Sequence, residues 1–170
     1  GTDVTRDASD MVLRDDNFAT IRDAVSEGRG IFDNIRAFVT FLLSANAGEV
    51  FTVFVGVLVG SILFPQLFAA QTEALILTPV MLLWINLVTD GPPALALGVD
   101  PTAEDVLERD PREADDGVID RGVAVAIITI GVTLAAVGVV LFFESLSTFG
   151  SLARAQTVLF TFFVVSEMGL

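Results

Sequence analysis

Apolar residues in this chain gather into long runs, with none of the strict alternation that marks a half-buried strand. A helix needs about 20 mostly apolar residues to cross the hydrocarbon of a bilayer. Runs of that kind extend from Ala37 to Phe64, Ala74 to Val99 and Gly122 to Phe143, and another starts near Ala155 and continues to Leu170. Glu49 is the only charged residue of the first, Asp90 of the second and Glu167 of the fourth, while the third has none. The pattern predicts an all-α integral membrane protein with four transmembrane helices.

Upstream of the first run, Ile21, Val25, Ile31, Ile35 and Phe38 recur at roughly helical spacing. This predicts a long helix that starts near Phe18, is capped by Asn17 and passes through Gly28 and Gly30 into the membrane over residues 31–64. Residues 1–30 read as the end of a cytoplasmic domain and its stalk, a short α/β remnant. It would comprise a polar helix around Thr2–Ser9, a buried strand at Met11-Val12-Leu13 and a turn at Arg14–Asn17. Thirty residues cannot close a core of their own, so the chain is expected to be a fragment that packs on something outside it. The second span is expected over 74–99, the third over 122–143 and a truncated fourth over 154–170. The 100–121 connection holds Pro101, Pro111, nine acids and three arginines. It predicts a solvated loop with at most one short helical turn, and leaves both a plain linker and a docking role open.

Composition sharpens this picture. Hydrophobic residues make up 53% of the chain and the mean hydropathy is +0.72, too apolar for an ordinary soluble domain. Basic residues number nine and all are arginine, placed mostly before the first span and between the second and third. By the positive-inside rule the N-terminus and the 100–121 loop are cytoplasmic, and the 65–73 and 144–154 connections lie outside the cell membrane. A net charge of −13 with no Lys or His fits a halophilic, salt-adapted surface, with partner binding as the alternative. No nucleic-acid partner is expected. The absence of Cys and His excludes disulfides, thiolate sites and imidazole-based zinc sites. The polar, acidic first 30 residues are not expected to act as a cleavable signal peptide.

Polar groups inside the spans carry the chemistry. A charge at mid-bilayer costs about 2.5–3.5 kcal/mol on insertion scales, so such residues normally face a bundle interior. Asn46 and Glu49 lie at i, i+3 in the first span, and Asn86, Thr89 and Asp90 at i, i+3, i+4 in the second. Pro92 and Pro93 follow, predicting a broken helix near 89–93 whose freed carbonyls line a cavity. Glu167 is the remaining contributor. This all-oxygen set suits a hard cation, with Ca²⁺ the natural candidate and Na⁺, Mg²⁺ and protons open. In the alternative reading Asn46, Asn86 and Thr89 are helix–helix hydrogen-bonding groups and the acids are protonated and paired, as in a non-enzymatic bundle. Gly48, Gly56 and Gly60 read as close-packing positions and Trp84 as packing near the site. Glu73 and Glu144 sit at span ends without function.

The stretch Asn86-Leu87-Val88-Thr89-Asp90-Gly91-Pro92-Pro93-Ala94-Leu95-Ala96-Leu97-Gly98 resembles the sixth transmembrane helix of calcium-type P-type ATPases, and Asn46-Ala47-Gly48-Glu49-Val50 resembles their fifth. Gly1 to Leu13 with Asp15-Asp16-Asn17-Phe18 is similar to the end of their phosphorylation domain, and the acidic loop resembles the connection between helices six and seven. The resemblance implies helices five to eight of a ten-helix pump. It further implies that Asn46, Glu49, Thr89, Asp90 and Glu167 bind one Ca²⁺ as transported ion, and that Asn86 and Asp90 help bind a second. Glu49 together with Glu167 favours the sarco/endoplasmic reticulum type over the plasma-membrane type. Partners implied are the lipid bilayer and the rest of the pump: helices one to four and the actuator, nucleotide and phosphorylation domains. The chain contains no Asp-Lys-Thr-Gly-Thr, Thr-Gly-Glu or Pro-Glu-Gly-Leu-Pro motif. No catalytic residue is therefore expected in it, and Mg²⁺ and ATP would belong to the parent protein.

Overall fold

The computed structural model describes residues 3–13, 17–70, 75–111 and 117–170. Its helices are α1 (Asp3–Asp7), α2 (Phe18–Leu63), α3 (Pro65–Ala70), α4 (Pro79–Trp84), a π-helical turn (Ile85–Thr89), α5 (Gly91–Gly98), α6 (Arg121–Phe149) and α7 (Leu152–Glu167). The described residues contain no strand. Met11-Val12-Leu13 has no regular secondary structure, and Met11 and Val12 are exposed. A strand exists only through hydrogen bonds to a neighbour, and no neighbouring strand lies among the described residues. Arg14, Glu73 and Arg112 fall outside the described residues.

Helix α2 runs without interruption for 46 residues, about 69 Å at 1.5 Å per residue. Asn17 caps it as expected, its side chain accepting from the Ala19 N–H at 3.0 Å, and Gly28 and Gly30 bend nothing out of the helical ladder. Among the described residues three helices are long and apolar enough to cross a membrane: Phe18–Leu63, Pro79–Gly98 and Arg121–Phe149. Helix α7 has 16 residues, about 24 Å, which falls short of the ~30 Å hydrocarbon thickness. Helix α6 outruns its expected end by six residues and carries Glu144 exposed inside the helix. It stops at Gly150, whose φ of 60° is a left-handed conformation open to glycine, and whose N–H bonds the Leu146 carbonyl at 2.9 Å.

Helix α2 packs along α6 through small residues. A Cβ on Gly131 of α6 would stand 2.8 Å from the Ala47 Cβ, and one on Gly48 would stand 2.9 Å from Leu134. Gly56 and Gly60 admit Ile76 and Phe68 in the same way. The core is Ile76, Leu77, Ile85, Leu134, Phe142, Leu146, Leu159 and Phe163. Outside it, Val50, Phe54, Ile62, Leu83, Leu87, Val140 and Val165 are exposed, an apolar surface suited to lipid rather than water. Trp84 belongs to this surface at 53% exposure, so it does not pack beside the site as its sequence position suggested. The protein is an integral membrane protein.

The described residues of the 100–121 connection dock on α2. Val106 is buried, and Arg29 of α2 donates to the Val106 and Arg109 carbonyls at 2.8 Å each. Asn34 donates to the Asp100 carbonyl at 2.8 Å. Arg109 forks onto Asp105 and reaches Asp33 at 2.7 Å, while Arg36 pairs with Asp120. The Arg109 guanidinium holds the Asp105 carboxyl below its ordinary value. The Val123 N–H, which Asp120 caps at 2.8 Å, does the same for Asp120, with Arg36 adding to it. Both carboxyls bind protons more weakly folded than unfolded. Their contribution is therefore complete above the ordinary aspartate pKa of about 4 and is lost as pH falls below it. Hydrogen exchange should show the Val123 amide well protected at pH 7 and markedly less so at a pH low enough to protonate Asp120, after correction for intrinsic rates. Equal protection at both would contradict this latch.

Candidate functional site

The buried acids meet where α2, the π turn and the end of α7 come together. On α2 the buried positions Ser44, Gly48, Thr52, Gly56 and Gly60 recur every four residues with Ala45 and Glu49 beside them, which turns Glu49 inward. On α7 the buried positions Gln156, Leu159, Phe163 and Glu167 form one stripe, so the same apolar face that packs the helix delivers Glu167 to the interior. The second span arrives through a local irregularity. The Asp90 N–H bonds the Ile85 carbonyl five residues back at 2.9 Å, and regular helix resumes when the Ala94 N–H bonds Asp90 at 3.0 Å.

The π turn ends at Thr89 and the helix is interrupted at Asp90, so the irregularity runs up to and overlaps the N-terminal edge of the 89–93 region. Proline is tolerated at the first positions of a helix, so Pro92 and Pro93 sit within the opening turn of α5 and displace the distortion to residues before them. Having no N–H, they cannot donate to the carbonyls four residues back, Val88 and Thr89. A π turn of this sort is frequent at functional sites because it leaves backbone oxygens without their regular donors.

Glu49 is 3% exposed, Asp90 1% and Glu167 1%. No ion pair among the described residues reaches them. Glu49 Oε2 accepts from Asn86 Nδ2 at 2.7 Å. The other Glu49 oxygen and both oxygens of Asp90 and Glu167 are buried without a hydrogen-bond partner. Asp90 and Glu167 face each other, with Glu49 in electrostatic range of both. Two ionised carboxylates can only accept, so this pair is satisfied either by one shared proton or by a bound cation.

The sequence-derived residues divide between two places. Thr89 and Asp90 are buried with Glu167, whereas Asn86 lies on an open groove of about 630 Å³ that Asn46 and Glu49 also line. Asn86 gives both amide hydrogens away, to Glu49 and to the Leu82 carbonyl at 2.9 Å, and Asn46 donates to the Leu42 carbonyl at 2.8 Å. Each amide thus keeps its oxygen as an acceptor. Among the described residues no three acidic groups close into a cluster tight enough to hold a metal unaided. Coordination here needs the amide, hydroxyl and backbone oxygens as well.

Residues 74–170 match the family described as "Cation transporting ATPase, C-terminus". The chain belongs to this family of cation-transporting ATPases. It is 43% identical over 151 residues to an endoplasmic reticulum-type calcium-transporting ATPase 2 of Arabidopsis thaliana, covering 88% of this chain and 13% of that protein. It is 40% identical over 172 residues to a calcium-transporting ATPase of Bacillus subtilis, covering 99% and 18%. An endoplasmic reticulum calcium ATPase, srcA, of Aspergillus fumigatus is 46% identical over 131 residues, covering 77% and 12%. The chain therefore spans less than a fifth of these relatives' length.

Two further polar residues of this ATPase segment escaped the sequence reading. Ser44 is 1% exposed and its hydroxyl has no partner; the four-residue repeat of small side chains from Ser44 to Gly60 was the available signal. Gln156 is 8% exposed and donates to the Leu75 carbonyl at 2.7 Å. Only the pairing of distant segments reveals it.

Proposed function

We propose that this chain is the ion-binding transmembrane part of an ATP-driven P-type pump that moves Ca²⁺ across a membrane. The observation that carries the reading is the set of buried, unpaired carboxylate oxygens of Glu49, Asp90 and Glu167. Unpaired ionised groups are too costly in an apolar interior to be kept as packing elements. Ca²⁺ takes 6–8 oxygens, both charged and neutral, in flexible geometry. The carboxylates, the Asn46 and Asn86 amide oxygens, the Thr89 hydroxyl and the proline-freed carbonyls of Val88 and Thr89 supply that mixture. The calcium-transporting activity named for the relatives supports the same ion.

In this reading α7 is the fourth span, the N-terminus and the 100–121 loop are cytoplasmic, and ATP and Mg²⁺ act in the remainder of the protein. Helix α2, continuous from the stalk to Glu49, carries motion of the cytoplasmic domains to the site. Movement along it changes the distance between Glu49 and the Asp90–Glu167 pair, which loads or releases the ion. The test is ATP-dependent phosphorylation and transport by the full-length protein across Ca²⁺, Mn²⁺, Mg²⁺, Na⁺ and H⁺. Ca²⁺ is expected to support both at the lowest concentration. Equal or stronger support by another cation would reassign the ion, and no cation dependence at all would leave only a structural helix bundle.

A further inference from the structure

Helix α7 touches the second span at two separated points. Near one end Gln156, buried, donates to the carbonyl of Leu75, 81 residues away in sequence. At the other end Glu167 faces Asp90. Gln156 and Glu167 lie on one buried stripe with Leu159 and Phe163 between them, about 16 Å apart along the helix. Leu75 opens the segment Leu75-Ile76-Leu77, of which Ile76 and Leu77 are wholly buried, and that segment leads directly into α4 and the π turn.

We propose that Gln156 is a positioning residue that sets the axial register of α4 and the π turn against α7, so that Asn86 and Asp90 arrive level with Glu49 and Glu167. The inference rests on the cation-site reading above. Its physical basis is that apolar packing alone fixes register weakly inside a membrane. Hydrocarbon side chains slide against one another and against lipid at little cost, whereas a hydrogen bond to one backbone carbonyl is satisfied at one register only. A π turn adds to the need, because a helix that can pass between α and π ladders can shift its downstream residues by a fraction of a turn unless its start is held. The Leu75 carbonyl lies ahead of the first turn of α4, so it is free to accept from a side chain without breaking a helical bond.

The test uses the full-length protein with Gln156→Met, which keeps length and volume but removes the donor. Spin labels at Leu87→Cys and Val165→Cys, both exposed positions of this chain, report register in a background without other reactive cysteines. Loss of the donor is expected to shift or broaden the label–label distance distribution. It is also expected to raise the Ca²⁺ concentration for half-maximal phosphorylation by about threefold to tenfold, with the maximal phosphoenzyme level within about twofold of wild type. Gln156→Glu, examined at a pH low enough to protonate the side chain, restores a donor and should bring the distribution back toward wild type. An unchanged distribution in Gln156→Met overturns the proposal. So does a fall in phosphoenzyme level with no change in half-saturation, since that marks a purely structural contact. A wild-type protein without a calcium response sinks the pump reading separately, while the distance measurement still decides whether Gln156 sets the register.

Discussion

Asp90→Asn is expected to weaken cation binding by about 100-fold or more while leaving the protein at least as stable as wild type when the cation is chelated. The substitution preserves size and keeps one acceptor, so the π turn and the resumption of helix at Ala94 stay intact. It removes a full charge from a group that is 1% exposed and has no protein partner for either oxygen. Breaking a buried charge interaction by removing one partner costs about 3–5 kcal/mol, which is roughly 100-fold or more in affinity. Without the ion the sign reverses. Asp90 and Glu167 are then satisfied only by sharing a proton, and an amide in place of one acid removes that requirement because it can donate as well as accept. The measurement is the half-saturating Ca²⁺ concentration for phosphorylation of the full-length protein, paired with its thermal unfolding in chelator. If Asp90 were helix-joining glue, unfolding would come at lower temperature and the calcium response would stay put. That pair of results would end the cation-site reading.

Gly131→Ala and Gly28→Ala should change stability in opposite directions, although each adds one methyl to a helix. At Gly131 the new Cβ would stand 2.8 Å from the Ala47 Cβ and 3.3 Å from two backbone atoms of Ala47 and Gly48. Backbone cannot swing aside, so α6 must move off α2 beside Asn46 and Glu49. Overpacking of this kind costs about 1–3 kcal/mol. At Gly28 nothing lies within 4 Å of the added atom, and replacing a mid-helix glycine by alanine gains about 0.5–1 kcal/mol through backbone entropy. Thermal unfolding of the purified protein in detergent resolves both shifts. Equal shifts of the same sign would mean that the α2–α6 contact is looser than the structure has it. Gly131→Ala should in addition weaken calcium binding, because it loosens the packing of α6 on α2 beside Glu49.

The residues themselves showed a good deal in advance. Apolar runs of bilayer length located α2, the Pro79–Gly98 span and α6, since a helix that shields its own backbone in lipid has to be long and apolar. Asn17 announced its cap, and the glycines of α2 announced close packing. Glu49, Asp90 and Glu167 were visible because an acid in an apolar run is costly enough to need a reason. The strand expected at Met11–Leu13 is not formed among the described residues, since strand formation depends on a neighbour that a local pattern does not contain. The prolines pointed to an interruption near Asp90 but not to its form as a π turn reaching back to Ile85, because they tell where donors are missing and not how the ladder deforms before them.

The sequence alone settled the membrane environment, the long helices and an all-oxygen, acid-bearing interior, each a property of which side chains occur and at what spacing. Tertiary structure decided which acids meet. It separated Asn46 and Asn86 on the groove from Thr89, Asp90 and Glu167 in the interior, docked the 100–121 loop on α2 through Arg29, and brought Gln156 to Leu75. These pairings join segments tens of residues apart, and their partners are chosen by how helices pack and where a π turn rotates the chain, which no stretch of residues read by itself can specify.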